Sequence, residues 1–168
     1  MQIRFYNKTT KIMNNPISNN NIFDSRELID YRDYLGDQLV LAWNEANEEA
    51  FPAEYIVDLF STIGYEYADD AKEAFAAFEE EYADEITHYK EVLDFCEELS
   101  GYGSFEWGEA IIPESEFTEY CKELVMECGY ISADLPSWVK IDWEATADNM
   151  RAEYMEVDFE GDTYLMRI

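Results

Sequence analysis

Residues 154–166 read Tyr154-Met155-Glu156-Val157-Asp158-Phe159-Glu160-Gly161-Asp162-Thr163-Tyr164-Leu165-Met166. Two runs with aromatic and aliphatic residues flank Glu160-Gly161, and Gly is a frequent turn residue between two strands. The stretch therefore predicts a β-hairpin near the end of the chain.

Helical patterns occupy most of the chain before this hairpin. Asp24 or Ser25 is suited to cap a first helix, which we expect to be interrupted near Gly36. Further helices are predicted at residues 52–63, from residue 69, from a cap at Thr87 to Gly101, from a cap at Ser115 to Gly129, and at residues 142–152. Short strands are predicted at residues 2–6 and 105–112.

These patterns together predict an α+β fold that is mostly helical and is built from two or three small subdomains. The boundaries that we expect are an α+β subdomain at residues 1–66, an acidic helical subdomain at 67–112 and a C-terminal α+β subdomain at 113–168. We find no internal repeat in the sequence.

The charge of the chain is strongly negative. The 168 residues include 39 Asp and Glu against 11 Lys and Arg, which gives a formal net charge of −28. The first 23 residues are the exception, with Arg4, Lys8, Lys11 and no acid. Proteins bind nucleic acid and anionic membranes through Lys and Arg, so this balance excludes direct binding to either. An apolar content of 48% is nevertheless ample for a folded core.

The sequence contains no targeting or disulfide pattern. No apolar run of signal-peptide length follows the basic residues near the N-terminus, and no stretch is long and apolar enough to span a membrane. Cys96, Cys121 and Cys128 are odd in number and form no Cys-x-x-Cys pair. We therefore expect a cytoplasmic protein with reduced thiols.

No motif in the chain points to catalysis, a metal or a cofactor. The one Glu-x-x-His, Glu85 with His88, cannot build a di-metal carboxylate site, which needs two such motifs, and we expect His88 to be a surface or boundary residue. The acidic turn at 158–162 lacks the order and length of an EF-hand loop. Carboxylate pairs are too frequent to indicate general acid–base chemistry. We expect no enzymatic activity and no cofactor.

The carboxylates instead recur at helical spacing, opposite apolar stripes. Carboxylates four residues apart on a helix lie about 6 Å apart along its axis, and such pairs repel each other by a few tenths of a kcal/mol. The candidate partner-binding residues are Asp69, Asp70, Glu73, Glu80, Glu81, Asp84, Glu85, Glu91, Asp94, Glu98, Glu116, Glu119, Glu123, Glu127, Asp142, Glu144, Asp148 and Glu153.

Three explanations of this acidity compete. Solubility explains any single acidic helix face, but a small domain needs a net charge of only about 2–8 for it. Adaptation to high salt is the second explanation, and it requires no specific partner. The third is mimicry of nucleic acid, since duplex DNA carries two charges per base pair and a charge of −28 corresponds to about 14 base pairs. A mimic would compete for the basic cleft of a DNA-binding protein.

A resemblance to a known family favours the third explanation. Residues 135–150 read Leu135-Pro136-Ser137-Trp138-Val139-Lys140-Ile141-Asp142-Trp143-Glu144-Ala145-Thr146-Ala147-Asp148-Asn149-Met150 and lead into the predicted hairpin. This proline-containing approach followed by Ile-Asp-aromatic-Glu-Ala, with an acidic helix upstream that ends in Gly, resembles the C-terminal part of the ArdA antirestriction family. The resemblance covers about residues 114–168. The family usually has Arg where Asp148 stands, and residues 1–23 do not match its Gly-rich opening strand region.

The resemblance implies an elongated, homodimeric α+β protein that acts without catalysis. ArdA proteins mimic DNA and occupy the DNA site of type I restriction-modification enzymes, and they protect incoming plasmid, transposon or phage DNA. The matching positions Asp142 and Glu144 would belong to the family's motif. We expect this chain to inhibit such an enzyme. The alternatives are a DNA mimic directed at a CRISPR effector, another phage-defence system or a nucleoid protein, or a salt-adapted acidic protein with no specific partner.

Overall fold

A computed structural model describes residues 13–19, 21–47, 69–102, 104–132 and 134–168. Over these residues the fold is α+β and mostly helical, as the sequence predicts. The strand predicted at residues 2–6 and the helix predicted at residues 52–63 lie outside the described part. Among the described helices, none combines the length and the apolar character needed to cross a membrane.

The described part contains five α-helices, four strands and three short 3-10 helices. The α-helices are α1 (Ser25–Asn47), α2 (Asp69–Glu81), α3 (Ala83–Ser100), α4 (Glu114–Glu127) and α5 (Trp143–Met150). The strands are β1 (Phe23–Asp24), β2 (Ala110–Pro113), β3 (Tyr154–Phe159) and β4 (Asp162–Arg167). The 3-10 helices span Pro16–Asn19, Phe105–Trp107 and Arg151–Glu153.

The strands form one antiparallel sheet in the order β1-β2-β4-β3. The predicted hairpin is confirmed as β3 and β4, in which Phe159 pairs with Asp162 and Val157 pairs with Tyr164. Its two-residue turn has φ of 51° at Glu160 and 95° at Gly161. Two successive positive φ angles are the mark of a type I′ turn, whose twist matches that of the strands that it joins.

The chain divides into two compact units. Unit 1 comprises residues 1–14 and 30–96, and unit 2 comprises residues 15–29 and 97–168. Helices α1 and α3 contribute residues to both. The three predicted subdomains, 1–66, 67–112 and 113–168, stay a prediction, because the first boundary falls in residues that the structure does not describe.

Two predictions about the helices of unit 1 are wrong. Helix α1 continues through Gly36, where a Cβ would lie 3.4 Å from the Tyr89 ring, so the glycine allows a close helix approach without breaking the helix. Helix α3 begins at Ala83, four residues before the cap predicted at Thr87. The rings of Trp43 and Phe78 meet edge to face at a centroid separation of 5.3 Å.

The core of unit 2 lies between the sheet and helices α4 and α5. A connected cluster of buried residues comprises Ile112, Phe117, Cys121, Ala147, Tyr154 and Leu165. Ser25, at the start of α1, is also buried. Its hydroxyl donates a hydrogen bond to the Phe105 carbonyl and accepts one from the Glu109 amide at 3.0 Å. These bonds connect the first helix to the segment that leads into β2.

Two boundaries in unit 2 differ from those predicted. The strand expected at residues 105–112 is shorter, since residues 105–107 form a 3-10 helix and β2 begins only at Ala110. Helix α4 begins at Glu114 with Pro113 at the N-cap, so Ser115 is not its cap. Pro113 has a φ of −57° and a ψ of 140°, and it supplies no side-chain hydrogen bond to the start of the helix. The helix ends as predicted at Gly129, where bonds from Gly129 N to Met126 O and from Tyr130 N to Val125 O form a Schellman motif.

Substitution Gly161→Ala tests the turn that defines the hairpin. A residue with a Cβ is strained at a φ of 95°, so we expect a loss of about 1 kcal/mol in the free energy of unfolding, measured by urea denaturation. Gly161→Asn, the control, should cost less because Asn adopts left-handed conformations more readily. Equal stability of Gly161→Ala and the parent protein would contradict this turn geometry.

Candidate functional site

The predicted carboxylates of α2 line its solvent side. Glu73, Glu80 and Glu81 are exposed, whereas Phe78 on the same helix is buried. Asp69 and Asp70 form the first turn of the helix, and the structure does not describe their side chains. The helix holds six carboxylates against one lysine, Lys72.

Helix α3 repeats this arrangement. Asp84, Glu91, Asp94 and Glu98 are exposed, and Glu85 is partly buried. The inward face of the helix is apolar and aromatic, with these residues buried: Ile86, Tyr89, Val92, Phe95, Cys96 and Leu99. The exposed carboxylates of α3 thus remain hydrated while the helix packs through its other face, because burial of an unpaired charge costs several kcal/mol.

Helix α4 presents a row of four predicted carboxylates spaced three or four residues apart. Glu116, Glu119, Glu123 and Glu127 are all exposed, and Phe117 and Cys121 face the core. At a rise of 1.5 Å per residue the row extends over about 16 Å. The last turn of α4 contains no basic residue, so the negative end of the helix dipole adds to the charge of Glu127.

Of the four predicted carboxylates that follow α4, two contact other groups of the fold and two are exposed without an ion pair. Asp142 is the N-cap of α5, and its carboxylate accepts a hydrogen bond from the Ala145 amide at 3.0 Å. Glu153 contacts the guanidinium of Arg167 at 3.4 Å. Glu144 and Asp148 are exposed on α5. Asp142 therefore supports the fold directly, as an N-cap carboxylate does.

The arginines of the described part are engaged by carboxylates. Arg26 pairs with Asp24 and Arg32 with Asp33, each at 2.6 Å. Lys122 contacts Glu119 at 2.5 Å on α4. Within the described residues, the following predicted carboxylates have no ion pair: Glu73, Glu80, Glu81, Asp84, Glu85, Glu91, Asp94, Glu98, Glu116, Glu123, Glu127, Glu144 and Asp148. Their charge is available to a partner.

Arg151 is the main electrostatic junction of unit 2. Its guanidinium donates to Glu114 at 2.6 Å and also to Glu156, which ties the start of α4 to strand β3. The hydrogen bond from Arg151 lowers the pKa of Glu156, and the two carboxylates raise the pKa of Arg151. Neither carboxylate belongs to the predicted interface, so this junction serves the fold.

The residues considered for metal or redox chemistry have structural positions. His88 is buried, and its Nε2 lies 3.0 Å from the Tyr31 hydroxyl, so the expectation of a surface or boundary residue is wrong. The two helices that supply this pair pack closely, which removes the imidazole from solvent. Cys96 and Cys121 are buried, and burial raises the pKa of the Cys121 thiol. Asp158 in the acidic hairpin accepts a hydrogen bond from Thr163 at 2.7 Å.

Unit 2 also contains an apolar groove that the sequence does not predict. It encloses about 480 Å³ between the end of α4, helix α5 and the outer ends of β3 and β4. We call it the C-terminal groove, and its lining residues are Leu124, Val125, Cys128, Tyr130, Ile131, Thr146, Met150, Glu153, Tyr154 and Arg167. The lining comes from separate segments, so no local periodicity reveals it. Tyr130 of the lining is 80% exposed.

Arg151→Met tests the electrostatic junction through its pH dependence. Because the pKa of Glu156 is lower in the folded state than its unfolded value of about 4.3, the pair contributes stability above that pH and loses it as the pH falls further. We expect Arg151→Met to lower the free energy of unfolding by about 1 kcal/mol at pH 7, since solvent screens both groups. The difference from the parent protein should narrow below about pH 4.

Arg167→Met is the matched control, because Arg167 makes a single longer contact and is more exposed. It should cost less than Arg151→Met at pH 7. A stability difference for Arg151→Met that stays constant between pH 7 and pH 3 would contradict the assigned role of the ion pairs.

The unpaired row on α4 predicts a salt-dependent stability. The triple variant Glu116→Gln, Glu123→Gln, Glu127→Gln removes like-charge repulsion and an unfavourable interaction with the helix dipole. We expect it to unfold with a free energy about 0.5 kcal/mol higher than the parent protein near 10 mM salt, measured with urea. The gain in stability should disappear near 1 M salt, where the Debye length is about 3 Å and charges farther apart are screened. A variant less stable than the parent at low salt would show that the row has favourable partners.

Comparison of the chain with protein-family models, with curated proteins and with solved structures finds no match in any of the three.

Proposed function

We propose that this protein is a DNA mimic that inhibits a type I restriction-modification enzyme by occupying its DNA-binding site. The observation that carries the proposal is the set of exposed, unpaired carboxylates on α2, α3 and α4. Each row lies on a helix whose opposite face is fixed in a core, so the charges are held on a stable frame.

The physical basis of the proposal is competition for a basic cleft. A DNA-binding enzyme gains much of its affinity from Lys and Arg contacts to phosphates. Carboxylates about 6 Å apart along helices offer the same groups a comparable density of negative charge. Complementary charge also accelerates association, which favours an inhibitor that must act before the enzyme reaches DNA.

The choice of target has a separate and narrower basis. It depends on the resemblance of residues 114–168 to the ArdA family, whose members act on type I enzymes. The same resemblance underlies the proposal of a homodimer. Since restriction enzymes act on DNA inside bacterial cells, the proposal implies a cytoplasmic protein encoded by a mobile genetic element. No enzymatic step and no cofactor enter the proposed mechanism.

Displacement of DNA from a purified type I methyltransferase core tests the proposal. We expect the protein to release a fluorescein-labelled duplex at a near-stoichiometric ratio, followed by fluorescence anisotropy, with the effect decreasing steeply as salt is raised. The variant with Glu116, Glu119, Glu123 and Glu127 all changed to Gln should inhibit about tenfold less. Four exposed charge contacts of a few tenths of a kcal/mol each account for that factor.

Helix α1 supplies a control with the same change of net charge. Glu27, Asp30, Asp37 and Glu45 are exposed and lie outside the predicted interface, and their change to Gln or Asn should weaken inhibition less than the α4 variant. Equal weakening by both variants would mean that only net charge acts. DNA binding that is unchanged at a tenfold excess of the protein would exclude this target. Persistent inhibition of a different DNA-binding protein would then identify another mimicry target.

A further inference from the structure

The C-terminal groove differs in chemistry from the acidic helix faces. Its floor is apolar, formed by Leu124, Val125, Ile131 and Met150. Its volume of about 480 Å³ lies in the range of small-molecule pockets, which is more than enough space for one apolar side chain. An exposed tyrosine at the edge of an apolar pocket is typical of protein-binding surfaces, and Tyr130 occupies this position.

The charges around the groove favour a cationic ligand. Glu153 lines the groove, and Glu127 is exposed one helical turn from Leu124 on α4. The negative end of the α4 dipole adds to them, because the last turn of that helix has no basic residue. Arg167 is the cation of the lining, and its guanidinium is directed to Glu153 at 3.4 Å. Glu153 and Arg167 offset each other, so the net negative charge near the groove comes from Glu127 and the α4 dipole, and it favours a cationic ligand over an anionic one.

We propose that the C-terminal groove receives one apolar side chain from a lysine- and arginine-rich segment of a protein partner. The apolar floor accommodates the side chain, and the carboxylates at the edge contact the flanking basic residues. That the segment belongs to a DNA-binding protein rests on the proposed function. The groove itself is a property of unit 2 and does not depend on it.

The C-terminal groove is an apolar binding site, which the charged surface of DNA does not offer to a partner. Contacts between exposed charges weaken with salt, because the Debye length falls to a few ångströms. Burial of an apolar side chain is independent of charge, and full burial of a leucine corresponds to a gain of about ten- to a hundredfold in affinity. A partner held by both would be bound more tightly at cellular salt than charge mimicry alone permits.

Two fluorescein-labelled peptides test the groove with the purified full chain. Both have two runs of four lysines, joined in one peptide by a central leucine and in the other by a central glycine. At low salt both should bind through the acidic surface. Near 0.3 M salt the leucine peptide should bind about tenfold more tightly than the glycine peptide, measured by fluorescence anisotropy. The leucine peptide should also slow the alkylation of Cys128, which is the exposed cysteine of the chain.

Cys128→Phe places a phenyl ring at the lining of the groove and should abolish the advantage of the leucine peptide. Met126→Phe is the matched control, because Met126 is exposed on the same helix but does not line the groove, and it should leave the advantage intact. Equal binding of the two peptides, or an advantage that survives Cys128→Phe, would overturn the proposal. Self-association that Cys128→Phe abolishes would also overturn it, since the occupant would then be a second copy of the chain.

The peptide assay and the DNA-displacement assay can fail separately. Loss of the leucine advantage with intact displacement of DNA would exclude the groove and leave the mimicry proposal in place. A leucine advantage without displacement from the type I enzyme would establish the groove and exclude that target.

Discussion

The cost of removing a carboxylate from water is the constraint on which this structure depends. An unpaired buried charge costs several kcal/mol, and the chain has too few cations to pair with 39 acids. The acids must therefore lie outside, and the helices must pack through their remaining faces. Helices α2, α3 and α4 meet this condition with exposed rows of Glu and Asp opposite buried residues such as Phe78, Val92 and Phe117.

The same constraint explains how the basic residues are used. Arg26, Arg32, Arg151 and Arg167 each contact a nearby carboxylate, and of these carboxylates only Glu153 belongs to the predicted interface. Arg151 joins α4 to β3 through Glu114 and Glu156. The rows on the helix faces keep nearly all of their charge, which is the property that the proposed mimicry requires.

The groove and the acidic rows suggest a division of roles in partner binding. Long-range attraction between opposite charges brings a basic partner to the surface quickly, but it discriminates weakly among basic proteins and weakens with salt. An apolar pocket acts only on contact and depends on shape. A protein that joins the two would combine fast association with selection among the many DNA-binding proteins of a cell.

The elements that were predicted correctly are those whose signals lie within a few residues of one another. The Glu160-Gly161 turn and the Gly129 helix end follow from backbone preferences that operate at short range. The exposure of the acidic rows also followed, because helical periodicity and the cost of charge burial act within one helix. Gly36 misled the prediction because its role is to admit the Tyr89 ring from another helix. The tertiary structure alone decided the burial of His88 against Tyr31 and the formation of the C-terminal groove, since both depend on which distant segments pack together.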